Sequence, residues 1–154
     1  MRDKITHYLG HFLALLMTIM TIDVLWGVFT RYAMGNQASW SEELARFLLI
    51  WIGILGAAYA SGQNMHLAID LLSPKLEGKS KQRLASGITL LIILFVFCIL
   101  VIGGFRLIYV TQVLGQMSPA LQIPMTVVYA VLPLSGIIIV YYKVHDLITS
   151  NSKI

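Results

Sequence analysis

Two acids and an arginine lie together at the start of an apolar run, and their opposite charges and spacing indicate ion pairs on a helix. Glu42 and Glu43 lie four and three residues before Arg46, so on a helix all three side chains can pair on one side of the first turn. Ser39 and Glu42 have the Ser-x-x-Glu spacing of a capping box, which predicts a helix start. We expect the charged residues to fix this helix and to shape one rim of the protein.

Asp23 is a carboxylic acid inside another apolar run. Carboxylates within membrane segments are rare, and they are usually paired or functional. Asp23 either couples transport to a proton or ion, or it pairs structurally with a cation at a similar depth. Arg46 and Arg106 are the two candidate cations, and we favour the structural role.

His66 and Asp70 are four residues apart and can share a helix face, which is a spacing found in metal sites. Two ligands do not make a site, and no third ligand is near in the sequence. A haem would need facing histidines in the interior of the apolar spans, whereas His7, His11 and His145 all lie at span ends. No nucleophile stands beside a base either, so we expect no catalytic residue, cofactor or metal.

The composition places the chain in a membrane. Of its 154 residues, 58% are hydrophobic and 12% are charged, and a soluble domain of this length could not bury so much apolar surface. The net charge of +4 comes from residues in short connections rather than from a patch, so nothing indicates nucleic-acid binding. Cys98 is the only cysteine, which excludes an internal disulfide.

Four apolar segments are long enough to cross a bilayer core of about 30 Å, which takes about 20 helical residues. We predict an all-α membrane domain over residues 1–154, with spans at about 9–29, 44–61, 84–110 and 124–142. The first run is too long for the apolar part of a signal peptide, so we expect it to be retained. Pro133 removes a backbone donor inside the fourth span and predicts a kink.

Lysine and arginine positions predict the orientation. The connection 62–83 contains Lys75, Lys79, Lys81 and Arg83, whereas the connection 111–123 has no charge. Both termini therefore belong in the cytoplasm, in agreement with four spans. Residues 65–72 mix apolar and polar side chains, and we expect a short amphipathic segment there at the cytoplasmic surface.

The second span carries small residues on a helical repeat. Gly53 and Ala57 are four apart, as are Gly56 and Ala60, and such pairs allow a close helix approach inside a bilayer. Trp40 and Trp51 are typical of the aromatic belts near span ends or of a partner contact. A span that begins with charged residues and carries small residues along one side is typical of a subunit in a larger membrane assembly.

Three motifs resemble the small membrane subunit, or DctQ-like subunit, of tripartite ATP-independent periplasmic (TRAP) transporters. They are WSEELAR (residues 40–46), WIGILGAAYA (51–60) and HLAIDLL (66–72), and Arg31 at the end of the first span also fits. The resemblance covers nearly the whole chain, with its specific part in residues 31–72. Ala68 departs from it, because many relatives carry a basic residue there, which leaves in doubt any contact made by that charge.

This resemblance implies an accessory role in a bacterial inner membrane. In these transporters a periplasmic substrate-binding protein delivers cargo to a large membrane subunit that is driven by sodium. The small subunit braces the scaffold of the large, elevator-type subunit. By this resemblance the chain binds neither cargo nor sodium, and its partners are the large subunit, the binding protein and membrane lipids. Sialic acid is the first expectation for the cargo and a C4-dicarboxylate the second.

Two other readings remain open from the residues alone. One is a stand-alone, four-helix, proton-coupled exporter that uses Asp23, which would need that acid exposed to a central cavity. The other is a membrane-embedded enzyme or electron carrier, which the missing ligands and nucleophile disfavour. Hydropathy does not separate helix faces that meet a partner from those that meet lipid.

Overall fold

The computed structural model describes residues 2–36, 38–63 and 79–151, with their side chains except those of residues 3, 79–85 and 149–151. The regular structure of these residues is helical. The helices are α1 (Arg2–Ala33), α2 (Ser39–Gly62), α3 (Lys79–Val96), α4 (Gly104–Val113), α5 (Met125–Tyr129) and α6 (Val131–Asn151). A π-helical segment, Phe97–Gly103, joins α3 to α4 without interrupting the span.

Within the described residues, four helical stretches are long and apolar enough to cross a membrane, which confirms the predicted number of spans. They are Lys4–Ala33, Ser39–Gly62, Ser86–Val113 and Met125–Ile148. The helices extend beyond the apolar segments found in the sequence. The reason is that hydropathy reports only the hydrocarbon core, whereas a helix keeps its hydrogen bonds through the headgroup region as well.

The inner face of α1 follows a repeat of seven residues. Its buried residues are Leu9, Leu13, Leu16, Asp23, Gly27 and Thr30, at successive spacings of four, three, seven, four and three. A stripe of this period keeps one seam of a helix against its neighbour, as in a left-handed coiled coil. The neighbour is α2, which makes the most extensive helix contact with α1.

The other helices continue the bundle from α2. Helix α6 packs against α2 on one side and against α3 and the π-helical segment on the other. Leu55 and Ala58 of α2 and Val131 of α6 are almost completely buried in this core. Helix α1 adds Leu9, Leu13 and Leu16 to the same core through its contact with α2.

The third and fourth spans are irregular at the same level. The fourth span is interrupted at Ala130, three residues before Pro133 and close to where the sequence predicts a kink. A Cβ atom at Gly104 would lie 2.8 Å from Pro133 Cδ, and one at Gly136 would lie 2.9 Å from Val101 Cγ2. These distances are too short for a side chain, so the two spans approach closely only because both positions are glycine. The sequence did not predict the π-helical winding.

Polar groups tie three helices together where the two ends of the chain meet. Arg2 Nη1 donates to Asp146 Oδ1 at 2.6 Å, and Arg2 Nη2 donates to the Gly62 carbonyl oxygen at 2.7 Å. The buried Lys143 lies 3.7 Å from the other oxygen of Asp146. Thr6 Oγ1 and the hydroxyl of the fully buried Tyr142 are 3.0 Å apart. We call this end, formed by residues 2–6, 62–63 and 142–146, the terminal face.

Replacing Gly104 or Gly136 by alanine should destabilise the purified chain. The added methyl group has no room against the neighbouring span, and overpacking of this kind costs about 1–3 kcal/mol. Thermal unfolding in one detergent measures the effect. Gly87→Ala is the matched control, because nothing lies within 4 Å of a Cβ atom there. Equal stability of all three variants would contradict this account of the span contact.

Asp146→Asn should also destabilise the chain, because it removes the carboxylate that Arg2 and the buried Lys143 share. We expect a loss of about 1.5–3 kcal/mol, the range for hydrogen bonds to charged groups. Glu42→Gln breaks an exposed ion pair and should cost less than about 1 kcal/mol. The comparison is made by thermal unfolding, and similar losses in both variants would contradict a structural role for the terminal face.

Candidate functional site

At the opposite end of the bundle, Glu43 connects the start of α2 to the loop between α4 and α5. Its Oε2 atom accepts two backbone hydrogen bonds, from the Ala120 N–H at 2.9 Å and from the Leu121 N–H at 2.8 Å. Hydrogen bonds to a charged acceptor are stronger than neutral ones. Two successive amides that point at one anion also form a small backbone nest. We call this end, formed by residues 34–36, 38–43 and 114–124, the loop face.

The loop that Glu43 binds has its own internal hydrogen bonds. The Ser118 N–H donates to the Ile123 carbonyl oxygen at 2.9 Å, and the Met125 N–H donates to the Gln116 carbonyl oxygen at 3.0 Å. Gly115 has a positive φ of 59°, a conformation that glycine adopts without strain. Residues 114–124 carry no charge of their own, so the negative charge that the loop amides bind comes from Glu43 on α2.

Glu42 and Arg46 form the predicted ion pair one turn apart. Arg46 Nη2 lies 3.5 Å from Glu42 Oε1, with side chains 69% and 63% exposed, respectively. Such an exposed pair stabilises a fold by less than about 1 kcal/mol. Glu43 does not join it, contrary to expectation, because its carboxylate is turned towards the loop. The pair therefore contributes little to this chain and remains available at the surface.

The predicted capping box is wrong. Ala38 precedes the first turn of α2 without a side-chain cap, and Ser39 is already inside the helix. The serine that matters is Ser41, whose buried Oγ donates to the Asp23 carbonyl oxygen of α1 at 3.0 Å. The start of α2 is therefore fixed by a bond to its neighbouring helix rather than by a local cap.

Asp23 is not paired with either of its predicted partners. Its side chain is buried between α1 and α2, and neither carboxylate oxygen has a hydrogen-bond partner in the part of the chain that the structure describes. Arg46 pairs with Glu42, and Arg106 is exposed on α4. The predicted pairing fails because Asp23 lies on the inner stripe of α1, whereas both arginines lie on outer faces.

The outward face of α2 forms a continuous stripe. Its exposed residues are Glu42, Arg46, Leu49, Gly53 and Ala57, which we call the α2 stripe. Among the described residues, a Cβ atom added at Gly53 or at Gly56 would meet nothing within 4 Å, so the packing within this part of the chain does not use these glycines. Trp51, by contrast, packs against the hydrophobic core. Within residues 51–60, Trp51 therefore belongs to the core, whereas Gly53 and Ala57 face outwards.

The remaining predicted positions fall into two groups. Arg31 and Trp40 are exposed near the loop face, and Arg31 lines a small cavity of about 160 Å³ together with Ser41 and Glu42. His66 and Asp70, with the predicted amphipathic segment, lie outside the described residues. Sequence reasoning missed the bonds between Glu43 and the loop, because their partners are 77 and 78 residues apart and the loop carries no motif.

Glu43→Ala should loosen the loop between α4 and α5. Loss of two charge-assisted hydrogen bonds should speed amide exchange at Ala120 and Leu121 by about tenfold or more. Hydrogen–deuterium exchange of the purified chain measures this directly. Glu42→Ala is the control, because that side chain makes no hydrogen bond to the loop. Unchanged exchange in Glu43→Ala would contradict the role assigned to these bonds.

Comparisons with known proteins identify the family. The family described as "Tripartite ATP-independent periplasmic transporters, DctQ component" matches residues 6–151. A TRAP transporter small permease protein of Haemophilus influenzae is 27% identical over 145 residues, which cover 90% of this chain and 87% of the relative. The sialic acid TRAP transporter small permease protein SiaQ of Vibrio cholerae is 30% identical over 88 residues, covering 57% of this chain and 51% of the relative.

A third relative places a similar segment within a longer polypeptide. The isethionate TRAP transporter permease protein DctMQ of Oleidesulfovibrio alaskensis is 32% identical over 98 residues. These residues cover 64% of this chain but only 15% of the relative. The matched proteins are transporter permeases rather than enzymes. With four apolar spans and a family match over almost its whole length, this chain belongs to the DctQ family, the small permease subunits of TRAP transporters.

Proposed function

We propose that this subunit binds a separate large permease subunit and braces its scaffold while that subunit moves an organic acid, driven by a sodium gradient. The α2 stripe is the observation that carries the proposal. It presents the charged pair Glu42–Arg46 at the loop face and the small residues Gly53 and Ala57 within the membrane, and the residues that the structure describes leave it uncovered.

Small residues favour a protein neighbour over lipid at this stripe. Acyl chains solvate bulky side chains as well as small ones, whereas two helices pack tightly only where their backbones can approach. Gly53 and Ala57 allow such an approach at successive turns. The DctMQ relative, in which the matched segment is a small part of one permease chain, supports a large permease partner.

The interior of the bundle supports bracing rather than transport. Asp23 is 5% exposed, and both of its carboxylate oxygens are buried. An exporter that used this acid would need it open to a central cavity, so the geometry does not support the alternative of a proton-coupled exporter. Bonds at both ends also hold the helices: Glu43 at the loop face and Arg2–Asp146 at the terminal face. This is the arrangement of a fixed support.

The orientation completes the proposal. Arg2 and Asp146 are bonded, so the start of α1 and the later part of α6 lie at the same face of the bundle. The positive-inside rule assigns that face to the cytoplasm of a bacterial inner membrane. The loop face then lies in the periplasm, where Glu42 and Arg46 can meet the substrate-binding protein. A groove of about 510 Å³ beside these residues, lined also by Ser39 and Pro119, is open to such a contact.

For the cargo we propose sialic acid first and a C4-dicarboxylate second, with sodium bound by the large subunit. The relative named for sialic acid supports the first of these cargoes. Uptake into proteoliposomes that contain both membrane subunits and the binding protein, under an imposed sodium gradient, decides between the two cargoes. Accumulation of N-acetylneuraminate without sodium, or of neither cargo with it, would contradict this part of the proposal.

Gly53→Leu should prevent co-purification of the large subunit while leaving the isolated chain as stable as the wild type. The leucine side chain fits the free chain, since nothing lies within 4 Å of the added Cβ atom, but it would hold a partner helix away. We expect a loss of association of about tenfold or more, because overpacking costs about 1–3 kcal/mol. Affinity purification from mild detergent measures the amount of partner retained.

Gly87→Leu is the matched control on the third span, where a Cβ atom would also meet nothing. It should retain the large subunit if α2 forms the interface. Full retention by Gly53→Leu would show that the partner binds elsewhere. Loss of thermal stability in the isolated Gly53→Leu chain would instead mean that the stripe serves the subunit's own fold.

A further inference from the structure

Arg106 points away from the bundle inside the third span. Gly104 and Thr111 are the buried residues of α4, and Arg106 lies on the opposite side of this helix. Among the described residues, no hydrogen bond, ion pair or ring contact involves its guanidinium group. A charged side chain within a membrane segment is costly unless it meets an opposite charge or water. Arg106 therefore needs an anion that this part of the chain does not supply.

The position of Arg106 along the third span sets its depth. The stretch Ser86–Val113 has 28 residues, or about 42 Å of helix, which exceeds the bilayer core of about 30 Å by about 12 Å. Divided equally, this excess leaves about 6 Å of helix beyond the core at each end. Arg106 lies seven residues, or about 10 Å, before Val113, so its Cα atom is about 4 Å inside the hydrocarbon. The long arginine side chain reaches from this depth to the headgroups.

Tyr109 offers a second donor to the same group. It lies one turn closer to the loop face than Arg106, and residues three apart on a helix have Cβ atoms about 5–6 Å apart. Tyr109 is exposed, and its hydroxyl has no hydrogen-bond partner in the described part of the chain. A phosphate presents several acceptor oxygens and is a preferred partner of arginine. The guanidinium and the hydroxyl can therefore donate to one phosphate.

The rest of this surface suits acyl chains rather than a neighbouring helix. Its other outward side chains are large and exposed, and they are Ile102, Phe105 and Val113. We call the surface formed by residues 102, 105, 106, 109 and 113 the α4 face. Bulky side chains keep another helix backbone away, whereas the small residues of the α2 stripe admit one. The α4 face therefore favours a lipid phosphate over a protein carboxylate as the anion.

We propose that the α4 face binds one phospholipid from the leaflet at the loop face, with its phosphate held by the Arg106 guanidinium and the Tyr109 hydroxyl. An acyl chain follows Phe105 and Ile102 towards the middle of the bilayer. The site involves this chain alone, so it holds whether or not the large subunit binds at the α2 stripe. It also leaves this side of the subunit facing lipid when the α2 stripe is covered.

Native mass spectrometry of the full-length chain, delipidated and then titrated, tests the proposal. The probes are phosphatidylglycerol and diacylglycerol with identical acyl chains, of which only the first carries a phosphate. We expect the first phosphatidylglycerol to be retained about fivefold more tightly than diacylglycerol, the ratio that one nearby cation provides. Arg106→Gln should remove most of this preference, whereas Arg106→Lys, which keeps the charge, should retain most of it.

Arg31→Gln is the matched control, because it removes the charge of another exposed arginine near the loop face, on α1. It should leave retention of the first phosphatidylglycerol unchanged. Tyr109→Phe should weaken retention by about twofold to tenfold, the range for one hydrogen bond, whereas Tyr8→Phe on α1 should have no effect. All four side chains are exposed, so we expect each variant to unfold at the wild-type temperature.

Three results would overturn the proposal. Equal retention of the two probes by the wild type would refute recognition of a phosphate. An equal loss in Arg31→Gln and Arg106→Gln would reduce the effect to the overall charge of the chain. Unchanged retention of phosphatidylglycerol in Arg106→Gln would remove the lipid from the α4 face, and loss of the large subunit from this variant on co-purification would identify a protein carboxylate as the anion instead.

Discussion

Inside a bilayer an apolar helix gains little by exchanging lipid for another apolar helix, so helices associate where backbones approach closely or polar groups meet. The contacts of this subunit follow from that constraint. A Cβ atom at Gly62 would lie 2.9 Å from the Tyr142 ring, and the glycines at 104 and 136 are as tightly enclosed. Three helices converge at Gly62, which therefore joins the first, second and fourth spans at one point.

Polar bonds then hold the bundle at its two ends. Glu43 binds backbone amides from the second half of the chain at the loop face. Arg2 and Asp146 bring the first and last helices together at the terminal face. Between these ends, none of the described residues of this chain covers the α2 stripe. A bundle that is fixed at both ends and has one uncovered flank fits the proposed support of a moving large subunit.

Hydropathy was sufficient to predict the four spans, because about 20 apolar residues in helical form have few alternatives in a membrane. Proline chemistry predicted the kink near Pro133, and local spacing predicted the Glu42–Arg46 pair. These features depend on neighbours within a turn or on bulk composition, which a single sequence reports well.

The remaining features depend on contacts between distant residues. Ser41 was overlooked because its acceptor, the Asp23 carbonyl oxygen, belongs to another helix. The partners of Asp23 were wrong because hydropathy gives the depth of a residue but not the side of the helix on which it lies. Glu43 looked like a partner for Arg46 because the uncharged loop that it binds gives no signal in the sequence.

The π-helical segment has a consequence for the angular register of the third span. Val96 and Gly104, on either side of it, are both buried. Eight residues of ordinary α-helix would turn these two positions about 80° apart, whereas seven would bring them back to within about 20°. The wider π winding absorbs one residue and returns the buried face to α6. A relative with one residue fewer here and plain α-helical winding would keep the positions of Val96 and Gly104 on the same buried face. A single-residue gap in an alignment at this point can therefore leave the packing of the span unchanged.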